Sequence, residues 1–487
     1  MPAVPPTDDD ARMSAALTPG GSMSGADRAT EADLVVVARR AVLPDGIRPA
    51  ALVVRDGRIA AILDPDDPSL APAAPGAPTS SRTLTAPEDC VLMPGLVDSH
   101  VHVNEPGRTA WEGFATATAA AAAGGITAIA DMPLNSIPAT TTLAALRVKQ
   151  DAAGGQLSTD VAFWGGAVPG NLHELGPMLD AGVVGFKCFL LPSGVDEFPN
   201  LSYPQLREHC GALAQLDALL IAHAEDESII DASANAGGRR YADFLASRPD
   251  SAETTAIDAL LQIAAETGAR VHIVHLSSAR ALPAIARAKA DGVRLTVETC
   301  PHYLTLSAEH IPDGHTEFKC CPPIRDEANR DALWQALADG LIDQVVSDHS
   351  PCTPDLKLLD AASPNNGDFA AAWGGIASVQ LALPAVWTEA ASRGFALTDL
   401  ARWMGSAPAG LTGLAGKGSL RIGGDADFSL FAPDERYVVD PTTLKHRNQV
   451  TAYAGQMLRG VVRETWLRGR RVDSGAPHGR MLERSPA

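Results

Sequence analysis

The chain has 487 residues, 46% hydrophobic and 20% charged, which suits a large, well-cored barrel with an appendage and exceeds a single small domain. Its formal charge of −19 is spread along the chain, which speaks against nucleic acid and anionic membranes as partners. Seven cysteines without a C-x-x-C pair read as reduced thiols, no apolar run is long enough to span a membrane, and the acidic, Pro-rich start (MPAVPPTDDD) is unlike a secretory signal; the expected compartment is the cytoplasm.

Residues 1–32 are rich in Pro, Asp, Ser, Gly and Ala without periodicity, and a disordered tail is expected there. From Asp33 come short β-like pieces, LVVVARRAVL and ALVVRDGRIAAIL, with Asp56-Gly57 supplying tight-turn chemistry. A loop of Pro, Ala and Ser (65–82) precedes the run Val91–Asn104, VLMPGLVDSHVHVN. The far end has the same character: GKGSLRIGGDADFSLFAP (417–433) and VVRETWLRGRRV (461–472) read as hairpin strands. Both ends are expected to build one small β-sandwich domain, from 33–92 and 416–475, with 476–487 as a C-terminal tail.

The middle, 93–415, alternates. Val97–Val101, Ile126–Asp131, Val161–Gly165, Val184–Phe189, Ala218–His223, Arg270–Leu276, Leu295–Glu298 and Gln344–Ser347 read as short buried strands. Stretches of helical period, such as Trp111–Ala123 and Thr254–Thr267, lie between most of them. Eight such units predict an α/β fold, a closed (β/α)8 TIM barrel, whose active site sits at the C-terminal ends of the strands.

The candidate chemistry lies at those ends. Residues two apart on a strand share a face, so His100 and His102 point together as two ligands of one metal ion would. A lone His-x-His is weak evidence, since imidazoles often serve as core or surface groups. Its weight comes from Lys187, His223, His275 and Asp348, each following a strand-like run. The expected division gives His100 and His102 to a first divalent ion, and His223 and His275 to a second. His272 faces the other side of its strand and reads as packing or as support for a ligand, and Asp98 as support behind the His pair. His349 reads as support or as nothing, and His209, His310, His315, His446 and His478 as surface groups.

Lys187, within the apolar strand VVGFKCFLL, is costly to bury as an ammonium. Either it reaches the rim or a carboxylate, or two nearby cations lower its pKa so that the neutral amine combines with carbon dioxide. The carbamate so formed (N6-carboxylysine) is an anion able to bridge both metals. Asp348 ends the last strand, where a carboxylate can be a metal ligand, a helix cap or a catalytic base. Ligand and base combine naturally if it takes the proton of an attacking water and returns it to a leaving nitrogen. The stretches Cys320–Arg325 and Trp373–Gly375 read as substrate loops, and the tandem cysteines, lacking a paired base, as inert thiols. Zinc is the expected metal, with cobalt or manganese equally suited to nitrogen and oxygen donors.

With these residues the chain resembles the cyclic amidohydrolases, and within them the allantoinases. HVHVNEPGRTAWEGF (100–114), AAAAGGITAIADMPLNSIPAT (120–140), GFKCFL (185–190), ETCPHYL (298–304), KCCPPIRDEANRDALW (319–334), VVSDHSPC (345–352) and AWGGIASVQ (372–380) follow that pattern. The resemblance implies two metal ions held by His100, His102, His223, His275, a carboxylated Lys187 and Asp348, the last also the catalytic aspartate. It implies hydrolytic opening of the hydantoin ring of allantoin to allantoate, and a homotetramer. Asn104, Asn135, Cys321 and Trp373 fall along the family's substrate pocket, Cys321 where Ser is usual.

Two other readings compete. Dihydropyrimidinases and dihydroorotases run the same chemistry on a six-membered ring, but dihydroorotases usually carry Arg, to pair with a substrate carboxylate, where this chain has Asn104. An asparagine there suits uncharged allantoin. A non-catalytic scaffold of the same fold typically loses metal ligands, and this chain keeps all six.

Overall fold

The computed structural model describes residues 33–67, 70, 82–234, 237–473 and 476–484. The expected disordered tail, 1–32, lies outside the described residues, as does most of the 65–82 loop. The chain opens with β1 (Leu34–Leu43), β2 (Gly46–Arg55), β3 (Arg58–Leu63), β4 (Arg82–Thr85) and β5 (Val91–Pro94). The β2–β3 hairpin turns on Asp56-Gly57, both at positive φ (50° and 73°), the tight-turn geometry anticipated for that pair.

The barrel strands follow: β6 (Leu96–Val101), β7 (Ile126–Asp131), β8 (Asp160–Phe163), β9 (Gly165–Gly166), β10 (Phe186–Phe189), β11 (Leu219–His223), β12 (Arg270–Ile273), β13 (Leu295–Thr299) and β14 (Gln344–Val345). All pair in parallel. The expected strand 161–165 is broken at Trp164, so that β8 pairs with β7 and β9 with β10. Counting β8 and β9 as one, the eight units are present. The ring closes through a parallel bridge between Val101 and His349, with the His102 amide 2.8 Å from the His349 carbonyl. Helices pack outside; Asp250–Thr267 buries Ala252, Ala256, Leu260, Ile263 and Ala264, a stripe of helical spacing.

The far end adds β15 (Phe428–Val438), β16 (Met457–Leu467) and β17 (Arg470–Val472). They join β1–β5 in one eight-stranded sheet, β15 pairing antiparallel with β5. Alternation along β1 and β2 sends Leu34, Val36, Leu52 and Val54 into one core and Val35 and Val53 into another. The stretch 417–427, expected to begin a strand, does not; Gly418 and Gly423 take positive φ (73° and 83°) and the strand starts at Phe428. The segment 476–484 lies against β8, with the Val161 amide on the Arg480 carbonyl (2.9 Å) and the Leu482 amide on the Val161 carbonyl (2.8 Å).

Barrel, sheet and this last segment meet at one buried cation. Lys417 Nζ lies 2.6 Å from Asp160, 2.7 Å from Asp427 and 2.8 Å from Asp425. Arg468 also pairs with Asp160, whose other oxygen accepts the Arg480 amide at 2.7 Å. The three carboxylates hold the Lys417 ammonium well above its ordinary pKa despite burial. Lys417→Met leaves them facing one another in a dry site and is expected to lower unfolding stability by about 3–5 kcal/mol. Denaturant titration followed by circular dichroism measures this, and an unchanged midpoint would remove the cluster from the account of how barrel and sheet are joined.

Candidate active site

All six expected ligands line one cavity of about 240 Å³ at the C-terminal end of the barrel. His100 lies within β6 and His102 just beyond it, Lys187 lies in β10, His223 ends β11, and His275 and Asp348 stand past the ends of β12 and β14. His100 Nε2 is 3.2 Å and His102 Nε2 3.6 Å from one oxygen of Asp348. These three donor atoms lie within 4.8 Å of one another, the spacing a metal ion needs. His223 and His275 form a second pair, rings 4.5 Å apart, with His275 5.5 Å from His100. Nδ1 of His275 is buried without a hydrogen-bond partner among the described residues, as fits a ligand atom. His275 and Asp348 both take positive φ (39° and 45°), backbone held out of the common regions where the side chains converge.

Electrostatics prepare the donors. Burial lowers His102 to about 4 and His275 and His223 below their ordinary value, leaving neutral imidazoles. Burial raises the Asp348 carboxyl, but His100 and His102 outweigh it and hold it at about 2, so it is a carboxylate. Burial lowers Lys187 to about 8; its amine faces no carboxylate within ion-pair distance among the described residues and stands 5.1 Å from the Phe189 ring centre. The lowered value makes this amine easier to discharge than an ordinary lysine, the property that carbamate formation requires. Neutral imidazoles, a carboxylate and a dischargeable amine suit a divalent cation.

Behind the ligands stand Glu298, Gln344, Glu225 and Arg248, which the sequence reading did not single out, together with His272 and Asp98, which it did. His100 Nδ1 donates to Glu298 at 2.5 Å, which leaves Nε2 free on the cavity side. The other Glu298 oxygen accepts from His272 (2.9 Å) and Gln344 (3.1 Å), so His272, read as packing or support, helps hold this carboxylate. His223 Nε2 donates to Glu225 at 2.7 Å, and Arg248 donates to the same oxygen at 2.6 Å. Asp98 accepts the amides of His100 (3.1 Å) and Ser347 (3.1 Å), tying the first strand to the last. Glu298 stands inside the quoted ETCPHYL stretch and Glu225 inside LIAHAED; a carboxylate in or just after a buried strand was the available signal.

Asn135, Cys321 and Trp373 line the cavity. The buried Asn135 oxygen has no partner among the described residues. Trp373 packs at a tilt against Trp111 (4.9 Å between ring centres), over which Arg108 sits, and its loop is held by Lys319 and Lys357 donating to backbone carbonyls. Cys321 is partly exposed, whereas the other six cysteines are buried. Asn104 is not part of the lining: buried at φ 65°, it donates to the Pro351 carbonyl at 3.3 Å. The cavity nonetheless has a guanidinium, contributed by Arg248. His209 and His446, expected at the surface, are buried; His209 donates along its helix to Gln205, and His446 packs on His349. His349 receives the amides of Ser378 and Val379 on Nδ1 and points Nε2 at Glu112 (3.2 Å).

Glu298→Gln keeps the shape but removes the charge behind His100, and metal affinity is expected to fall about 10–100-fold with the fold intact. Competition of the purified protein against a zinc chelator reads this directly. Unaltered affinity would mean that packing alone orients His100.

A model of the amidohydrolase family matches residues 91–472. The chain is 56% identical over 461 residues to an allantoinase of Streptomyces avermitilis, covering 94% of this chain and 100% of the relative. It is 48% identical over 405 residues to an allantoinase of Saccharomyces cerevisiae, covering 81% and 85%. Among solved structures, the L-hydantoinase (dihydropyrimidinase) from Arthrobacter aurescens is similar with a TM-score of 0.84 at 32% identity, covering 93% of this chain and 100% of that one. A D-hydantoinase gives 0.81 at 28% identity, covering 93% and 99%. The barrel, the shared terminal sheet and these relatives agree: the chain belongs to the amidohydrolase family, in the group of the allantoinases.

Proposed function

We propose that this chain hydrolyses the hydantoin ring amide of allantoin to give allantoate, using two divalent metal ions. The observation that carries the reading is that His100, His102, Lys187, His223, His275 and Asp348 line one cavity. Likeness to the allantoinases of Streptomyces avermitilis and Saccharomyces cerevisiae supports the choice of substrate over six-membered rings. When bound, the ions, zinc in our reading, supply a Lewis acid for the ring carbonyl and lower the pKa of the attacking water.

The protein's own groups do the rest. His100, oriented by Glu298, and His102 would hold one ion with Asp348; His223 and His275 would hold the other. Lys187, lining the cavity with a pKa lowered by burial, would join them as a carbamate. Asp348, ionised and 3.2 Å from His100, takes the proton of the attacking water and returns it to the ring nitrogen as the carbon–nitrogen bond breaks. The unpartnered Asn135 oxygen offers an acceptor to a substrate N–H, and Trp373 a wall for a flat ring. Seven free cysteines support a reducing compartment, and we place the chain in the cytoplasm; among the described residues no helix is long and apolar enough to cross a membrane. The homotetramer rests on the family resemblance and is testable by analytical ultracentrifugation.

Ring-opening assays on allantoin, hydantoin, dihydrouracil and dihydroorotate, with metal content measured, test the reading. Allantoin is expected to give the highest kcat/KM; a higher value for dihydroorotate or dihydrouracil overturns the substrate. Asp348→Asn is expected to lower kcat by about 10²–10⁴-fold with a far smaller change in KM. Near-native turnover in that variant would place the proton acceptor elsewhere. Lys187→Ala is expected to lose most metal and activity, with partial recovery in acetate; full metal occupancy without the lysine would exclude the bridge.

A further inference from the structure

Arg248 is a cationic group of the cavity that is neither a candidate metal ligand nor part of the loop framework. It follows the helix Tyr241–Ala246, and its side chain is only 19% exposed, facing the cavity with His223 and Cys321. Lys319, another cation of the lining, already donates to the carbonyls of Ala370 and Ala372. Among the described residues Arg248 has one side-chain hydrogen-bond partner, Glu225 at 2.6 Å through Nη1. A guanidinium carries five N–H donors in a rigid plane. Most of that fork is therefore uncommitted at the wall of a site built for a small molecule.

The partner decides what the fork suits. Glu225 is fully buried and lies 2.6 Å from Arg248 Nη1, so Arg248 enters the cavity already paired with a carboxylate. A carboxylate ligand there would meet a second anion, Glu225, across one guanidinium. A neutral carbonyl meets directional donors with no uncompensated charge. We propose that Arg248, fixed by Glu225, is the substrate-orienting residue that donates to the carbonyl oxygen of a neutral urea group, the ureido arm of the substrate. This rests on the reading of allantoin as substrate and deepens it. The selectivity that the sequence reading attached to Asn104 is assigned instead to an arginine contributed after the fifth barrel strand.

The test compares wild-type enzyme with Arg248→Gln and Arg248→Lys, each reconstituted with zinc. Wild-type turnover of allantoin is measured first, and its absence would defeat the substrate reading before any variant is consulted. With turnover established, Arg248→Gln is expected to raise KM for allantoin about 10- to 100-fold while zinc content stays at the wild-type value. Arg248→Lys, which can still pair with Glu225 but lacks the fork, is expected to show most of the same rise. Hydantoin, which has no ureido arm, serves as competitor, and its inhibition constant is expected to stay within about twofold of wild type. Adding guanidinium ion to Arg248→Ala is expected to recover part of the lost kcat/KM. An unchanged KM overturns the proposal. So does a parallel rise in the hydantoin inhibition constant, which would assign Arg248 to the ring. A loss of zinc in Arg248→Lys overturns it as well, since Arg248 would then act through Glu225 on His223.

Discussion

The approach of Asp348 to the histidine pair depends on how the barrel closes. The last strand is a two-residue ladder, too short to fix its own end against the first strand. Closure is completed by the His102 amide on the His349 carbonyl and by the Asp98 carboxylate, which takes the amides of His100 and Ser347 together. Those bonds hold two strand ends from opposite extremes of the barrel in one register. The 3.2 Å separation of His100 and Asp348 is a consequence of that register. His349, whose ring is pinned by Ser378, Val379 and Glu112, keeps the closing residue from turning.

A second layer sets the chemical state of the donors. Each ligand pair has a carboxylate behind it: Glu298 behind His100, Glu225 behind His223. In a dry site an imidazole can donate from one nitrogen and offer the other, and the carboxylate decides which. Burial lowers the pKa of His102, His223 and His275, and the same burial lowers that of Lys187. Low dielectric and fixed hydrogen bonds thus work toward one arrangement, a set of lone pairs facing one cavity.

The residues that line the cavity together were legible in the sequence because most sit where an apolar run stops at a polar residue, the signature of a strand end, and Lys187 because a charge stands inside an apolar strand. The Asp56-Gly57 turn was legible for the same local reason. What escaped depends on partners far away in the chain. His100 and Glu298 are 198 residues apart, and the local signal, a carboxylate in a buried strand, does not name its partner. Arg248 lies in a polar stretch, ASRPD, that reads as surface, yet the fold turns its side chain to the cavity. His209 and His446 were misplaced because polar neighbours in sequence say little about burial when tertiary packing covers the helix or loop. The strand expected from 417 failed for a local reason, glycines at positive φ.

The terminal sheet carries a consequence for the order of events during synthesis. β5 finds its antiparallel partner in β15, and the entire barrel is encoded between them. While the ribosome is still making the barrel, the edge of β5 that will receive β15 has no strand to pair with. Pairings between such distant segments form late and slowly, because a long loop must close before contacts reward it. The nascent chain thus exposes an apolar strand edge for the whole time the metal site is being assembled, an edge of the kind that invites association with other chains. Lys417 and Arg468, which lock the sheet to the barrel, emerge after that interval has ended.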